Sequence, residues 1–183
     1  MNKELIIDAA SGEVQIALIE NKRLVELHAE RGTHDFGVGD FYLGKIKKII
    51  SGLNAAFVDV GYEKDAFLHY LDLGPQIKTL IKYQKDVIAG KPVSVETFPL
   101  EQDIDKTGKI TNVITLGASI LVQVAKEPIS SKGPRITTEL SMPGRYLVLV
   151  PFSKRISISH KIKNLNEKSR LKKIASSLQP VNF

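Results

Sequence analysis

The sequence predicts a mainly β protein, α+β overall, with a small closed barrel at its centre. Short runs rich in β-branched and aromatic residues, bounded by turns, fill most of the chain outside residues 75–112. Runs of about five residues with alternating faces are typical of such barrels. Apolar residues at helical spacing predict two helices, one over 80–88 and one capped by Asn164 or Asn166 that Pro180 stops. With 183 residues, 43% of them hydrophobic, the chain can bury a sizeable core.

The first strands form a meander. Residues 5–7, 14–19 and 23–28 are β-rich runs, and Ser11-Gly12 and Asn21-Lys22 separate them as hairpin turns. Three strands alone need something to pack on.

A glycine-marked boundary at Gly37–Asp40 precedes the barrel strands. Residues 70–112 lose the strand pattern, and about 75–112 form an insertion in which 101–109 is expected to be a mobile loop. The remaining runs predict strands over residues 41–50, 55–60, 65–69, 119–124, 135–139 and 145–150.

Composition excludes several classes of protein. The chain has no cysteine, so it forms no disulfide, zinc–thiolate site or catalytic thiol. No apolar run approaches the roughly 18–20 residues that a membrane helix requires, and an acid at Asp8 comes too early for a signal peptide. We therefore expect a cytoplasmic protein with no membrane segment.

Positive charge is concentrated at one end. The net charge is +6, and residues 151–183 hold eight lysines and arginines against the single acid Glu167. Such a surface attracts phosphate backbones. A solvated helix face is an equally good interpretation of this charge run.

Two phenylalanines suggest a stacking platform. If Val58 and Val60 point into the barrel, the period of two places Phe57 on its outer face, and Phe67 falls on the neighbouring strand. An outward aromatic ring can stack on an unpaired base. The alternative is that both rings belong to the core. The basic residues near them in the sequence are Lys45, Lys47, Lys48, Lys132 and Arg135.

Four ordered segments resemble a known family. Gly44-Lys45-Ile46, residues 55–61 and residues 66–69 resemble the S1 RNA-binding domain, a five-stranded OB-type barrel. Together with the meander, residues 126–128, 132–138 and 144–151 resemble the ribonuclease E/G family in order and spacing.

The resemblance implies a domain plan. Residues 1–36 would be the first strands of an RNase H-like subdomain, 37–139 an inserted S1 domain carrying the 75–112 insertion, and 140–183 the start of a truncated 5′-end sensing region. Phe57, Phe67 and Lys132 match the family's contacts to single-stranded RNA. Gly144 and Val148 match positions that contact the terminal nucleotide.

The resemblance also implies what this chain lacks. In the family, carboxylates in a later subdomain bind Mg²⁺, and a cysteine motif binds zinc between protomers of a homo-oligomer. This chain stops before both, so it would have no catalytic residue and no metal of its own. An active site built on Asp8, Glu26 and Glu30 lacks a convincing further carboxylate, and Asp8 is expected to cap a turn. His69 has no partner at metal-ligand spacing.

Three functions stay open at this stage. The first is the single-stranded RNA-binding part of a ribonuclease E/G-type endoribonuclease, inactive alone, with Lys45 and Arg135 adding to the RNA contacts. The second is a free-standing S1-type RNA-binding protein without nuclease activity. The third is an assembly module that pairs through open sheet edges in residues 1–36 and 145–183.

Overall fold

The computed structural model describes residues 2–10, 12–31, 36–153 and 155–183, without the side chains of Glu30 and Arg31. Its contacts divide the chain into two compact units, Met1–Asp35 and Phe36–Phe183. Three antiparallel strands make up the first unit, in the order β1-β2-β3. Their bounds are β1 Lys3–Ala10, β2 Glu13–Glu20 and β3 Arg23–Arg31.

The predicted meander is confirmed, and its second turn shows why the strands pair in register. Asn21 and Lys22 have φ angles of 48° and 65°, the left-handed pair that a two-residue type I′ hairpin turn requires. Successive residues of a strand point to opposite faces. Because Leu5, Ile6 and Ile7 are all exposed, both faces of this small sheet present apolar side chains.

A closed five-stranded barrel forms the body of the second unit, with the order β4-β5-β6-β8-β7. Every pairing is antiparallel except that of β6 with β8. This confirms the predicted fold class, a mainly β protein with an OB-type barrel. The strands are β4 Phe41–Ile50, β5 Ala55–Asp59, β6 Ala66–His69, β7 Ser119–Lys126 and β8 Arg135–Thr137.

The barrel interior is apolar and tightly filled. Ile46, Val58, Leu68, Val122 and Ile136 project into it and are at most 2% exposed. Gly44 lies against this core, since a Cβ there would come 2.5 Å from Cγ1 of Val58. Short 3₁₀ helices cap the strand ends at Ser51–Leu53, Tyr70–Asp72 and Ile110–Asn112.

The insertion packs on the barrel through one helix, α1, at Ile77–Ile88. It begins three residues earlier than predicted because Ile77 is buried against the core with Leu80. The predicted loop over 101–109 contains no helix or strand, but the barrel holds its end. The Asn54 side chain donates to the carbonyl of Gly108 and accepts from the N–H of Ile110.

The last segment corrects one prediction. A single strand over 145–150 is wrong: β9 (Met142–Pro143) and β10 (Val148–Leu149) instead form a two-stranded hairpin, because the chain reverses between them. Helix α2 covers Leu165–Leu178. Asn164 caps it, its side chain accepting from two backbone N–H groups, as predicted.

Candidate nucleic-acid interface

Phe57 and Phe67 form an aromatic pair on the outside of the barrel. They are direct partners in the β5–β6 register, and their ring centroids lie 5.8 Å apart in an edge-to-face arrangement. Their strand neighbours Val58 and Leu68 are fully buried, so alternation turns the two rings outward, where both are half-buried. Neither ring belongs to the core, and the alternative that placed them there is wrong.

Basic residues extend this pair across the strands. Phe57 is opposite Lys48, Phe67 is opposite Arg135, and Arg135 is opposite Lys126. Residues directly opposite in a sheet share a face. The barrel therefore carries a row that reads Lys48, Phe57, Phe67, Arg135, Lys126, with both aromatic rings between cations; we call it the aromatic row.

Arg135 is oriented by an acid. Its Nε and Nη2 atoms each donate to one carboxylate oxygen of Asp72, both at 2.9 Å. This bidentate bond raises the pKa of Arg135 above its ordinary value. The guanidinium is thus held in place beside Phe67 with its charge partly compensated.

Two further acids, Asp59 and Asp65, lie beside the row, and Lys47 forms ion pairs with both. The Lys47 ammonium lies 2.9 Å from Asp59 and 3.5 Å from Asp65. Its hydrogen bond to Asp59, followed by the bond from the Gly61 N–H, lowers the pKa of the Asp59 carboxyl. Lys47, although exposed, is therefore paired with protein carboxylates. Lys45, opposite Asp59 in register, is exposed as well.

Lys132 lies in the loop that leads into β8, exposed to solvent. Next to it, a Cβ on Gly133 would come 2.3 Å from the backbone oxygen of Asp65, so this loop passes directly over the start of β6. The Phe67 N–H then donates to the carbonyl of Pro134 at 2.8 Å. The loop backbone, and Lys132 with it, is thereby attached to the strand that carries Phe67.

Gly144 and Val148 lie apart from the aromatic row, on the β9–β10 hairpin. The Gly144 N–H donates to the carbonyl of Leu147 at 2.7 Å, closing the turn, and Val148 is opposite Pro143. Val148 is 60% exposed. The structure places these two candidates close together on a surface of their own.

Comparison with known proteins identifies the chain's relatives. A model of the ribonuclease E/G family matches residues 141–183. Ribonuclease G of Escherichia coli (strain K12) is 33% identical over 176 residues, which are 96% of this chain and 32% of that protein. Nearly the whole chain is similar to ribonuclease G.

Other relatives agree. The ribonuclease E/G-like protein of Porphyra purpurea is 40% identical over 146 residues, 79% of this chain and 24% of that protein. Ribonuclease E of Nostoc sp. (strain PCC 7120) is 32% identical over 184 residues, 100% of this chain and 23% of that protein. The chain spans a third or less of the length of these curated relatives.

The described acids of the first unit form no metal-binding group. Asp8, expected to cap a turn, lies inside β1 opposite Gln15, and Glu26 pairs with His28 at 3.0 Å. The side chain of Glu30 lies outside the described part of the molecule. Among the described residues, no group of three or more acids, histidines or cysteines could hold a metal ion. His69 uses its Nδ1 atom to accept from the Leu71 N–H.

None of the helices in the described ranges is long and apolar enough to span a membrane. The sequence alone does not assign RNA contacts to two members of the aromatic row, Lys48 and Lys126. Their place opposite Phe57 and Arg135 depends on register shifts in β4 and β7. Such bulges leave little signal in a single sequence.

Proposed function

We propose that this chain binds single-stranded RNA on the outer face of its barrel and is the RNA-binding part of an endoribonuclease. The observation that carries the proposal is the aromatic row, in which two outward rings lie between cationic side chains. Aromatic rings stack on unpaired bases of any sequence, and lysines and arginines contact the phosphates between them.

The remaining candidates have subordinate roles in this proposal. Lys132 and Lys45, both exposed, contribute charge near the row. Arg135 is held by Asp72 and acts as an oriented donor to phosphate more than as free charge. Gly144 and Val148 form part of a separate surface for the 5′ end of the RNA.

In the longer proteins, we propose that RNA on the barrel is positioned for Mg²⁺-dependent hydrolysis by a separate nuclease subdomain. The described residues do not fit a Mg²⁺ or zinc site, so no step of that chemistry is assigned to them. The 183-residue chain alone should bind RNA without cutting it. Cleavage of a labelled RNA by the purified chain with Mg²⁺ present would contradict this division of roles. A cytoplasmic location and a homo-oligomer of the longer protein stay predictions.

Fluorescence anisotropy tests the proposal directly. A labelled, unstructured single-stranded RNA and its duplex are titrated with wild type and with the variant Phe57→Ala/Phe67→Ala. Stacking contributes about 1–3 kcal/mol per base, so the variant should bind the single strand at least about tenfold more weakly. Phe41→Ala is the control, because Phe41 is an exposed phenylalanine on a barrel strand and lies outside the row. Equal affinities for the wild type and the double variant would refute the proposal.

A further inference from the structure

Residues 151–183 carry more positive charge than their own acids can compensate. The segment has eight lysines and arginines and one acid, Glu167. That acid is fully engaged: Nε and Nη2 of Arg170 donate to its two oxygens at 2.8 and 2.6 Å. The Arg170 bond lowers the pKa of Glu167, which keeps this carboxylate ionised and paired. The lysines of the segment therefore have no acid available within it.

Helix α2 places two of these lysines, Lys172 and Lys173, on one exposed side. Leu171 and Ala175 are half-buried and mark the side that faces the protein. At 100° per residue, Ser169, Lys172, Lys173 and Ser176 fall together on the opposite side, spaced as i, i+3, i+4 and i+7. All four are exposed, and with Ser177 they line an open depression. We call this surface the α2 lysine face.

The α2 lysine face is anchored to the insertion at both ends of its segment. Before the helix, the Phe152 ring lies 5.6 Å from that of Tyr83. After it, the Asn182 side chain donates to the carbonyls of Val95, Glu96 and Phe98. These contacts fix the helix on the same unit as the barrel.

The chemistry of the α2 lysine face selects its ligand. Ammonium and hydroxyl groups are donors, and the face carries no carboxylate, which suits an acceptor such as phosphate. A helix that lies in a membrane surface needs bulky apolar side chains on one exposed side. On the α2 lysine face itself, small serines lie between the lysines. The helix has three exposed bulky apolar residues: Leu165 at its start, and Ile174 and Leu178 on the other side from the lysines. The lysine side therefore offers donors to phosphate, and vesicle binding is kept as an arm of the test.

We infer that the α2 lysine face is a second RNA contact that binds the phosphate backbone without reading bases. The inference rests on the proposed function for the identity of the ligand. The aromatic row would give preference for single strands, and the α2 lysine face would add sequence-independent, salt-sensitive affinity to single strands and duplexes alike.

The test is a salt series on the 183-residue chain, using the same labelled single strand and duplex. For single strands, each phosphate contact adds about 0.7 to the steepness with which log affinity falls against log salt. One contact therefore contributes about fivefold in affinity at 0.1 M salt relative to 1 M salt. Lys172→Gln/Lys173→Gln should reduce the slope by about 1.4 and weaken binding to both RNAs. Lys106→Gln/Lys109→Gln removes the same charge from the exposed insertion loop and should retain the wild-type slope.

The outcomes separate this inference from the proposed function. Both the proposed function and this inference are supported by one pair of results. Phe57→Ala/Phe67→Ala should keep the salt slope and lose the preference for single strands, and Lys172→Gln/Lys173→Gln should lose part of the salt slope and keep that preference. A lysine variant that behaves like its control overturns the inference alone. Binding of wild type, but not the lysine variant, to phosphatidylcholine–phosphatidylserine vesicles, with unchanged RNA binding, overturns it in favour of a lipid surface. Failure of wild type to bind either RNA refutes both.

Discussion

The side chain of Gln84, on α1, completes the hydrogen bonding along one edge of β7. Its amide nitrogen donates to the carbonyl of Ser119 at 2.8 Å, and its amide oxygen accepts from the N–H of Leu121 at 2.7 Å. Residues two apart on a strand direct these groups to the same side, and β8 pairs with β7 only from Gln123 onward. β8 does not reach residues 119–121 of β7, and there the side chain of Gln84, which is 8% exposed, makes the hydrogen bonds that a neighbouring strand would make.

The substitution Gln84→Ala removes both bonds. The carbonyl of exposed Ser119 can be hydrated again, whereas the N–H of half-buried Leu121 loses its partner. An unsatisfied buried group costs about 1–3 kcal/mol, and a lost hydrogen bond about 1 kcal/mol. We expect the free energy of unfolding to fall by about 2–4 kcal/mol.

Urea unfolding followed by far-ultraviolet circular dichroism measures this loss, since the chain has no tryptophan to report by fluorescence. Lys85→Ala, at the exposed next position of α1, controls for the change in helix propensity. Gln84→Glu adds a second check: its carboxylate accepts but cannot donate, so its deficit should shrink as protonation restores a donor at low pH. If Gln84→Ala and Lys85→Ala agree within about 0.5 kcal/mol, the reasoning is wrong.

Three other substitutions test separate features. Asn182→Ala should weaken the attachment of the last segment more than Asn182→Gly, because Asn182 has a φ of 64° that glycine tolerates; hydrogen exchange at the C-terminal segment measures this. Gly44→Ala should cost about 1–3 kcal/mol by urea unfolding, because its Cβ would collide with the core, whereas Gly52→Ala meets open space. Asp59→Asn should make the melting temperature fall less steeply as the pH is lowered into the acid range. Lys47 lowers the pKa of Asp59 in the folded protein, so the ionised carboxylate stabilises the fold. This stabilisation is present above the pKa of an aspartate in the unfolded chain, about 3.9, and is lost as the pH falls through the lower pKa of Asp59 in the folded protein.

Each of these has a contradicting result. Equal exchange rates in the two Asn182 variants would mean that the side-chain amide, and not the backbone conformation, decides the attachment. A Gly44→Ala variant as stable as Gly52→Ala would show that the core yields without cost. A melting temperature that falls as steeply with acid in Asp59→Asn as in wild type would show that the ion pair with Lys47 does not couple to folding.

Much of the fold is visible in local sequence patterns. The alternation around Val58 and the glycine-bounded runs predicted the barrel strands to within a few residues, because a half-buried strand imposes a period of two on its own residues. The helix cap was narrowed to Asn164 or Asn166 for the same reason, since a cap satisfies backbone groups only two or three residues away, and the structure shows that Asn164 is the cap. The family resemblance of residues 44–69 likewise depends on contiguous motifs.

The sequence by itself determined where most elements lie and offered two positions for Phe57 and Phe67, on the outer face or in the core; the structure decided for the outer face. Only the tertiary structure decided which side chains meet. The aromatic row, from Lys48 to Lys126, depends on register shifts in β4 and β7. The bond between Arg135 and Asp72 joins residues 63 apart in sequence, and the β9–β10 hairpin replaced a predicted strand. These contacts follow from how the barrel closes on itself, and closure is a property of long-range packing that no local period encodes.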